Sequence, residues 1–451
     1  MSRVIGKAIW NSALLTASAL LTSAMNFLTI FVFTRYFSQE DFGAYVSSQA
    51  KVALWLLLVD LGLYNGVISS LTLARNEHGE NSGVVSAILR RSFSIRILGA
   101  FLGFVVVLVL AKSHATANGT FDATLFWRDI AFSPVLFGYA CQQNITPYLA
   151  YRGQQGLSVV TQLATVAITA ILGIILAMRG ASVTAVLFTL SLSGLIASAW
   201  LYGAVFLGKP RGTKPEHISP WKMLFLNSWP YALIFATTTI WQRLDQIRAA
   251  DLFGLTLGGE YGLAARLVGI PILMVSAVSM ALFPDFQRTG VDAPEKLRLY
   301  ISVMLKLLWR YGLFLALFIL GGVSLVMVAL FPKYDAALHL LPWFVPGIWA
   351  YGLFNFANNG LLGTRGFTGA VLSHLGGLAV YLLSLYFFPF WIGLEGVVLA
   401  YDFFCFSLFF FSYLALKKDV RWKGISLFGR FNAEEKLVVT QIREKILGRF
   451  R

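Results

Sequence analysis

Between Trp241 and Arg266 the sequence WQRLDQIRAADLFGLTLGGEYGLAAR sets Arg243, Asp245, Arg248 and Arg266 in or beside runs apolar enough to cross a bilayer. Charge at that depth costs roughly 2.5–3.5 kcal/mol per residue even on lenient insertion scales. Each charge therefore needs a partner, a wet cavity or a ligand. Arg248 has Asp245 and Asp251 three residues away on either side, a neighbouring spacing on a helix. Arg243 lies about 200° from Asp245 and about 140° from Arg248 around such a helix. Its charge must be met by another helix or by something bound.

Arg35 and Lys51 join these residues in the outer portions of the first, second, seventh and eighth helices. Asp245 opposes them there, and Asp60 lies deeper in the second helix. The balance is positive and favours an anion, and Arg offers phosphate several coplanar donors. Arg35 and Arg248 read equally well as residues snorkelling to the membrane surface. Lys51, Arg243 and Arg266 are harder to explain that way. On the inner side Lys306 and Arg310, spaced i, i+4, are candidates for lining a vestibule, whereas Arg90, Arg91 and Arg96 read as topology anchors. Asp60, Asp402 and His374 are candidates for holding a coupling proton or sodium ion, against a competing reading as satisfied polar groups between helices. No phosphate loop and no histidine metal spacing occurs, so neither a cofactor nor a metal is expected, and the chain itself does not hydrolyse ATP.

The elements that carry these residues follow from composition. A chain of 451 residues that is 57% hydrophobic and 13% charged has more apolar surface than a soluble core can hide. It reads as an all-α polytopic membrane protein. Apolar runs mark about twelve spans, near 10–35, 43–70, 92–111, 130–151, 157–178, 183–207, 223–250, 261–285, 301–331, 340–363, 367–390 and 396–416. The first run reaches Phe37 and is too long for a signal peptide, so it is expected to remain as a helix. Cys141 and Cys405 both lie in apolar runs, which argues against a disulfide framework. With the N-terminus inside, 24 of the 36 Lys and Arg residues fall in inner segments and five in outer ones. That bias predicts cytoplasmic termini, and it makes the net charge of +15 a contact for anionic lipid rather than for nucleic acid.

A repeat runs through the chain. Asn11-Ser12 and Asn227-Ser228 open the first and seventh helices, Gly43-x-Tyr45 and Gly259-x-Tyr261 begin the second and eighth, and Lys51 is followed at a similar shift by Arg266. Arg96 pairs with Arg310, and Asn144 through Arg152-Gly153 pairs with Asn358 through Arg365-Gly366. The near-constant offset predicts a duplicated six-helix unit with a pseudo-two-fold along the membrane normal. Residues 1–208 form the expected N-lobe, 209–222 a basic linker, 223–416 the C-lobe and 417–451 a basic tail. Within the tail Asn432 and Glu435 have capping-box spacing, and Val438, Ile442 and Ile446 form an apolar stripe suited to the membrane interface. A solvated tail and a partner-binding helix are the alternatives.

The pattern Arg35-x7-Gly43-x-Tyr45 with Asp60-Leu61-Gly62-Leu63, the Arg243-x-Asp245 pair before Gly259-x-Tyr261, and the two Arg-Gly pairs carry a resemblance. Over about residues 1–420 the chain is similar to the polysaccharide flippase branch of the multidrug/oligosaccharidyl-lipid/polysaccharide (MOP) exporter superfamily. The resemblance implies two six-helix lobes around a V-shaped cavity in a bacterial inner membrane. It implies alternating-access flipping of undecaprenyl-pyrophosphate-linked oligosaccharide to the periplasmic leaflet for O-antigen, capsule or exopolysaccharide assembly. By that analogy Lys51, Arg243 and Arg266, flanked by Arg35 and Arg248, receive the pyrophosphate, and polymerase and chain-length proteins are the partners to consider. The two extra helices of the peptidoglycan-precursor branch are not found. The competing functions are a drug or organic-cation antiporter of the same superfamily and a membrane glycosyl transferase or ligase using Asp122 and Asp129.

Overall fold

The computed structural model describes residues 2–78, 83–117, 119–152, 154–206, 220–364, 366–418, 427 and 431–447. Most of the expected linker, together with Gly153 and Arg365 of the Arg-Gly pairs, lies outside these residues, as do the side chains of Asn11, Ser12, Ile442 and Ile446. Hydrocarbon offers no partner for backbone N–H and C=O groups, so apolar runs of this length must satisfy them internally, as helices. In order these are α1 (Ser2–Tyr36), α2 (Gln39–Ala53), α3 (Leu56–Asp60), α4 (Leu63–His78), α5 (Gly83–Ala115), α6 (Ala123–Ile130), α7 (Val135–Tyr151), α8 (Gln155–Met178) and α9 (Val183–Phe206). They continue as α10 (Pro220–Asp292), α11 (Pro294–Leu330), α12 (Asp335–Leu340), α13 (Val345–Gly363), α14 (Phe367–Ile392), α15 (Leu394–Lys418) and α16 (Ala433–Leu447). No strand occurs among the described residues.

Nine of the described stretches are long and apolar enough to span a membrane. One of them, Leu224–Ser276, has 53 residues and length for two passes. It is interrupted at Gly254, where φ 85 and ψ 168 leave the helical region. That conformation suits glycine, and it replaces the loop expected between 250 and 261 with a break at one residue. Counted as two passes this stretch brings the number to ten, and the expected spans 10–35 and 130–151 correspond to α1 and α7.

The second expected span is also discontinuous. Ser38 caps α2 by accepting the Asp41 N–H at 3.0 Å, and Glu40 and Asp41 complement the helix dipole. After α3 the backbone turns left-handed at Leu61 (φ 43) and Gly62 (φ 69). A Cβ on Gly62 would collide with the backbone of Ser228, Tyr231 and Ala232, so the break depends on glycine for both its conformation and its packing.

The chain folds as two compact units, Met1–Gly262 and Leu263–Arg451. In the first, Val52, Val59, Ala100, Leu136 and Ala140 form one buried cluster, and Val67, Leu71, Ile88 and Ile145 belong to another. In the second, α11 buries a stripe through Ile301, Leu305, Gly312, Ala316, Leu320 and Met327. Its opposite face exposes Phe314, Phe318 and Leu325. Large apolar side chains on the outside mark the surface presented to lipid.

Candidate functional site

The deepest charge in the first unit is one that reads from sequence as a topology anchor. Arg96 on α5 is 0% exposed. Its Nη2 donates to Asp60 Oδ1 at 3.0 Å, and its Nη1 donates to Ser92 Oγ at 2.5 Å and Asn144 Oδ1 at 3.3 Å. Asn144 in turn donates to the Leu89 carbonyl at 3.5 Å. Asp60, the coupling candidate, is the last residue of α3, so the broken second span delivers its carboxylate to the guanidinium. A buried charge needs such a paired and hydrogen-bonded environment.

In the last turn of α2, Lys51 lines a cavity of about 400 Å³ with Trp55, His114, Asp129, Leu244 and Asp251. Lys51 Nζ lies 3.3 Å from His114 Nδ1 and 3.6 Å from Asp129 Oδ2, and His114 Nδ1 lies 2.6 Å from that same oxygen. One imidazole nitrogen either donates or accepts, so His114 serves Asp129 or Lys51 through Nδ1, never both. Lys51 is 26% exposed at its side chain and retains access to the cavity.

Two motif residues of the repeat meet in this unit. A Cβ on Gly259 would press on the backbone of Gly43, and one on Gly43 would strike the Leu255 carbonyl, so both positions require glycine for close backbone approach. Two residues beyond Gly259, the Tyr261 hydroxyl donates to Asp245 Oδ2 at 2.7 Å, and the Gln246 N–H donates to Asp245 Oδ1 at 2.7 Å. Asp245 is buried by these bonds, whereas Arg243 and Arg248 are partly exposed. Neither arginine lines the Lys51 cavity, where α10 presents Leu244, Ile247 and Asp251. Arg35 is exposed and stacks over Phe31 with its guanidinium 5.1 Å from the ring centroid.

In the second unit Arg266 is partly exposed. Lys306 donates to both Glu435 oxygens, at 2.8 and 2.7 Å, and Ser302 donates to Glu435 Oε1 at 2.7 Å. Arg310 lies over the Phe431 ring at 4.8 Å. The expected vestibule cations are thus met by the tail, whose helix α16 docks on α11. The capping box is present: the Asn432 N–H donates to Glu435 Oε2 at 2.9 Å and the Glu435 N–H to Asn432 Oδ1 at 2.7 Å. Burial raises the Glu435 pKa, but the bonds from Lys306, Ser302 and the Asn432 backbone outweigh it and hold the carboxyl below its ordinary value. His374 is buried, donates from Nδ1 to the Ala370 carbonyl at 2.8 Å and meets Phe354 edge-on. Asp402 is buried against Gly347, and its Oδ1 has no hydrogen-bond partner.

Sequence alone does not reveal His114 and Glu435 as charge partners, and it assigns Asp129 only to a competing function. Capping-box spacing marks Glu435 as special but cannot name Lys306, 129 residues away.

The family profile described as "Polysaccharide biosynthesis protein" matches residues 9–289. The chain belongs to this polysaccharide biosynthesis family. No curated protein sequence matches it. Among solved structures, an inward-facing multidrug resistance MATE transporter of the MOP superfamily is similar at TM-score 0.65 and 13% identity, over 87% of this chain and 92% of that one. The MATE transporter DinF-BH in complex with R6G has TM-score 0.65 and 13% identity, covering 94% and 97%. A variant of a Vibrio cholerae MATE transporter has TM-score 0.63 and 12% identity, covering 93% and 99%. This member of the polysaccharide biosynthesis family therefore has a MATE-like fold and is a multi-pass membrane protein.

Proposed function

We propose that the protein flips a polyprenyl-diphosphate-linked oligosaccharide from the cytoplasmic to the periplasmic leaflet of a bacterial inner membrane, with both termini cytoplasmic. One observation carries this reading beyond the family: Asp60 and Asp245 are buried against protein donors, whereas four cations of the same spans keep exposed surface. Asp60 is bound by Arg96, and Asp245 by Tyr261 and Gln246. Lys51, Arg243, Arg248 and Arg266 are each partly exposed. A carrier of organic cations would need the reverse. A sugar head cannot cross roughly 30 Å of hydrocarbon unaided, and cations at membrane depth suit the diphosphate that accompanies it.

An inside-negative potential favours outward movement of an anion by about 2.3 kcal/mol per charge per 100 mV. Proton or sodium antiport is the rival driving force, with Asp60, His374 and Asp402 as its candidates: Arg96 binds Asp60, the Ala370 carbonyl holds His374, and Asp402, bonded by the Gly347 backbone, keeps its Oδ1 without a hydrogen-bond partner. Collapsing the potential while keeping the pH gradient separates the two, because undiminished transport excludes the potential. The transferase reading loses support because Asp122 caps α6 through the Thr124 and Leu125 N–H groups and Asp129 serves Lys51 and His114.

The deciding experiment measures binding of a polyprenyl-diphosphate oligosaccharide to the purified protein and to an Arg243→Ala/Arg266→Ala variant, with a lipophilic cation as competitor. Saturable binding that needs both arginines and ignores the cation is expected. Displacement by the cation establishes the antiporter instead.

A further inference from the structure

Five helices of the first unit, α1, α2, α7, α8 and α9, line a second cavity of about 220 Å³ whose chemistry differs from that of the Lys51 cavity. Its polar groups are amides and hydroxyls, among them Asn26, Gln49, Gln142, Tyr45, Tyr139 and Thr169. None of its described lining residues is charged. Amides and hydroxyls in a membrane-embedded cavity offer paired donors and acceptors to a ligand that has many of both. Without a cation they leave a phosphate's charge uncompensated, and without a carboxylate they leave that of an organic cation uncompensated. Tyrosine rings add apolar faces beside their polar tips.

Helix α2 separates the two cavities. Tyr45 and Gln49, spaced i, i+4, face the neutral one, and Lys51, about 200° around the helix from Gln49, faces the cationic one. One helix thus carries a neutral, hydroxyl-rich face and a charged face, matching the two chemistries joined in a sugar diphosphate. We infer that the neutral cavity binds a sugar ring of the transported head group through Gln49 and Gln142, with Tyr45 and Tyr139 against the ring. This assignment rests on the flippase reading and extends it to the carbohydrate. Its volume suits one ring rather than a chain, so the cavity reads a single sugar.

The test uses full-length protein in nanodiscs and compares bare undecaprenyl diphosphate with the same lipid carrying one hexose or one N-acetylhexosamine. Wild type is expected to bind at least one glycosylated lipid about tenfold more tightly than the bare lipid, the worth of one or two neutral hydrogen bonds. A Gln49→Leu/Gln142→Leu variant should lose that increment while still binding the bare lipid. An increment absent from wild type, or unchanged in the variant, overturns the assignment. If wild type does not bind the bare lipid either, the flippase reading itself fails. Should the double variant lose bare-lipid binding, the single Gln142→Leu variant decides: a reduced increment supports the cavity and an unchanged one overturns it.

Discussion

In the first unit Arg96 is neutralised by Asp60, which lies 36 residues earlier on a neighbouring part of the same helical repeat. In the second unit the repeat supplies Arg310 at the position corresponding to Arg96, with Lys306 one turn before it, but their partners come from outside the six-helix pattern. Glu435 and Phe431 of the tail take that place. Two cations that the sequence repeat aligns are thus met in different ways. The first solution is sealed, with Arg96 0% exposed and held by Asp60, Ser92 and Asn144. The second depends on a segment that docks from one side.

The contrast between the two units is broken most forcefully at Asp60. Asp60→Ala leaves a buried guanidinium uncompensated, and we expect a loss of about 3–5 kcal/mol, read as a collapse of the melting temperature in detergent. Replacing both partners, Asp60→Leu with Arg96→Met, should recover most of it, because apolar isosteres remove the desolvation cost together with the attraction. Transport by that double variant would exclude Asp60 from coupling.

Glu435→Gln should cost less, about 2–3 kcal/mol, by removing the charge but not every hydrogen bond. Its signature is release of α16 to protease with the transmembrane fold retained. Acid should mimic it. The folded pKa of Glu435 lies below the ordinary value of about 4.3. Its stabilisation is therefore complete above the unfolded pKa and is lost as pH falls through the lowered folded one. Tail accessibility measured from pH 6 to 3 should rise at the acid end in wild type and show no such step in Glu435→Gln. Smallest is Tyr261→Phe, which removes the hydroxyl bond to the buried Asp245 and should cost about 1.5 kcal/mol in a denaturation series.

Much of the fold is legible in the residues. Apolar run length gives the helices, and the repeat offset links Arg96 with Arg310 and Gly43 with Gly259 from sequence alone. Pairing across space is not legible, because periodicity fixes the face of a helix but not the helix opposite. Arg96 resembles Arg90 and Arg91 because all three stand near the start of one helix. Only Ser92, one turn back, and the depth shared with Asp60 distinguish it. Gly254 hides its break because a single residue does the work expected of a loop. Lys51 stands out as a cation at depth, but His114 and Asp129, at the end of α5 and in α6, carry no spacing that points to it.

The broken second span has a consequence for the order in which the protein is made. A chain enters the bilayer N-terminus first, so Asp60 arrives 36 residues before its counter-ion. During that interval its charge faces an insertion cost of roughly 2.5–3.5 kcal/mol, and the left-handed turn at Leu61-Gly62 comes directly after it in the chain. Lys306 waits far longer, for the 129 residues until Glu435 is synthesised. The two units are therefore completed on different clocks, the first while its helices are still being inserted and the second only after all of its spans are in place.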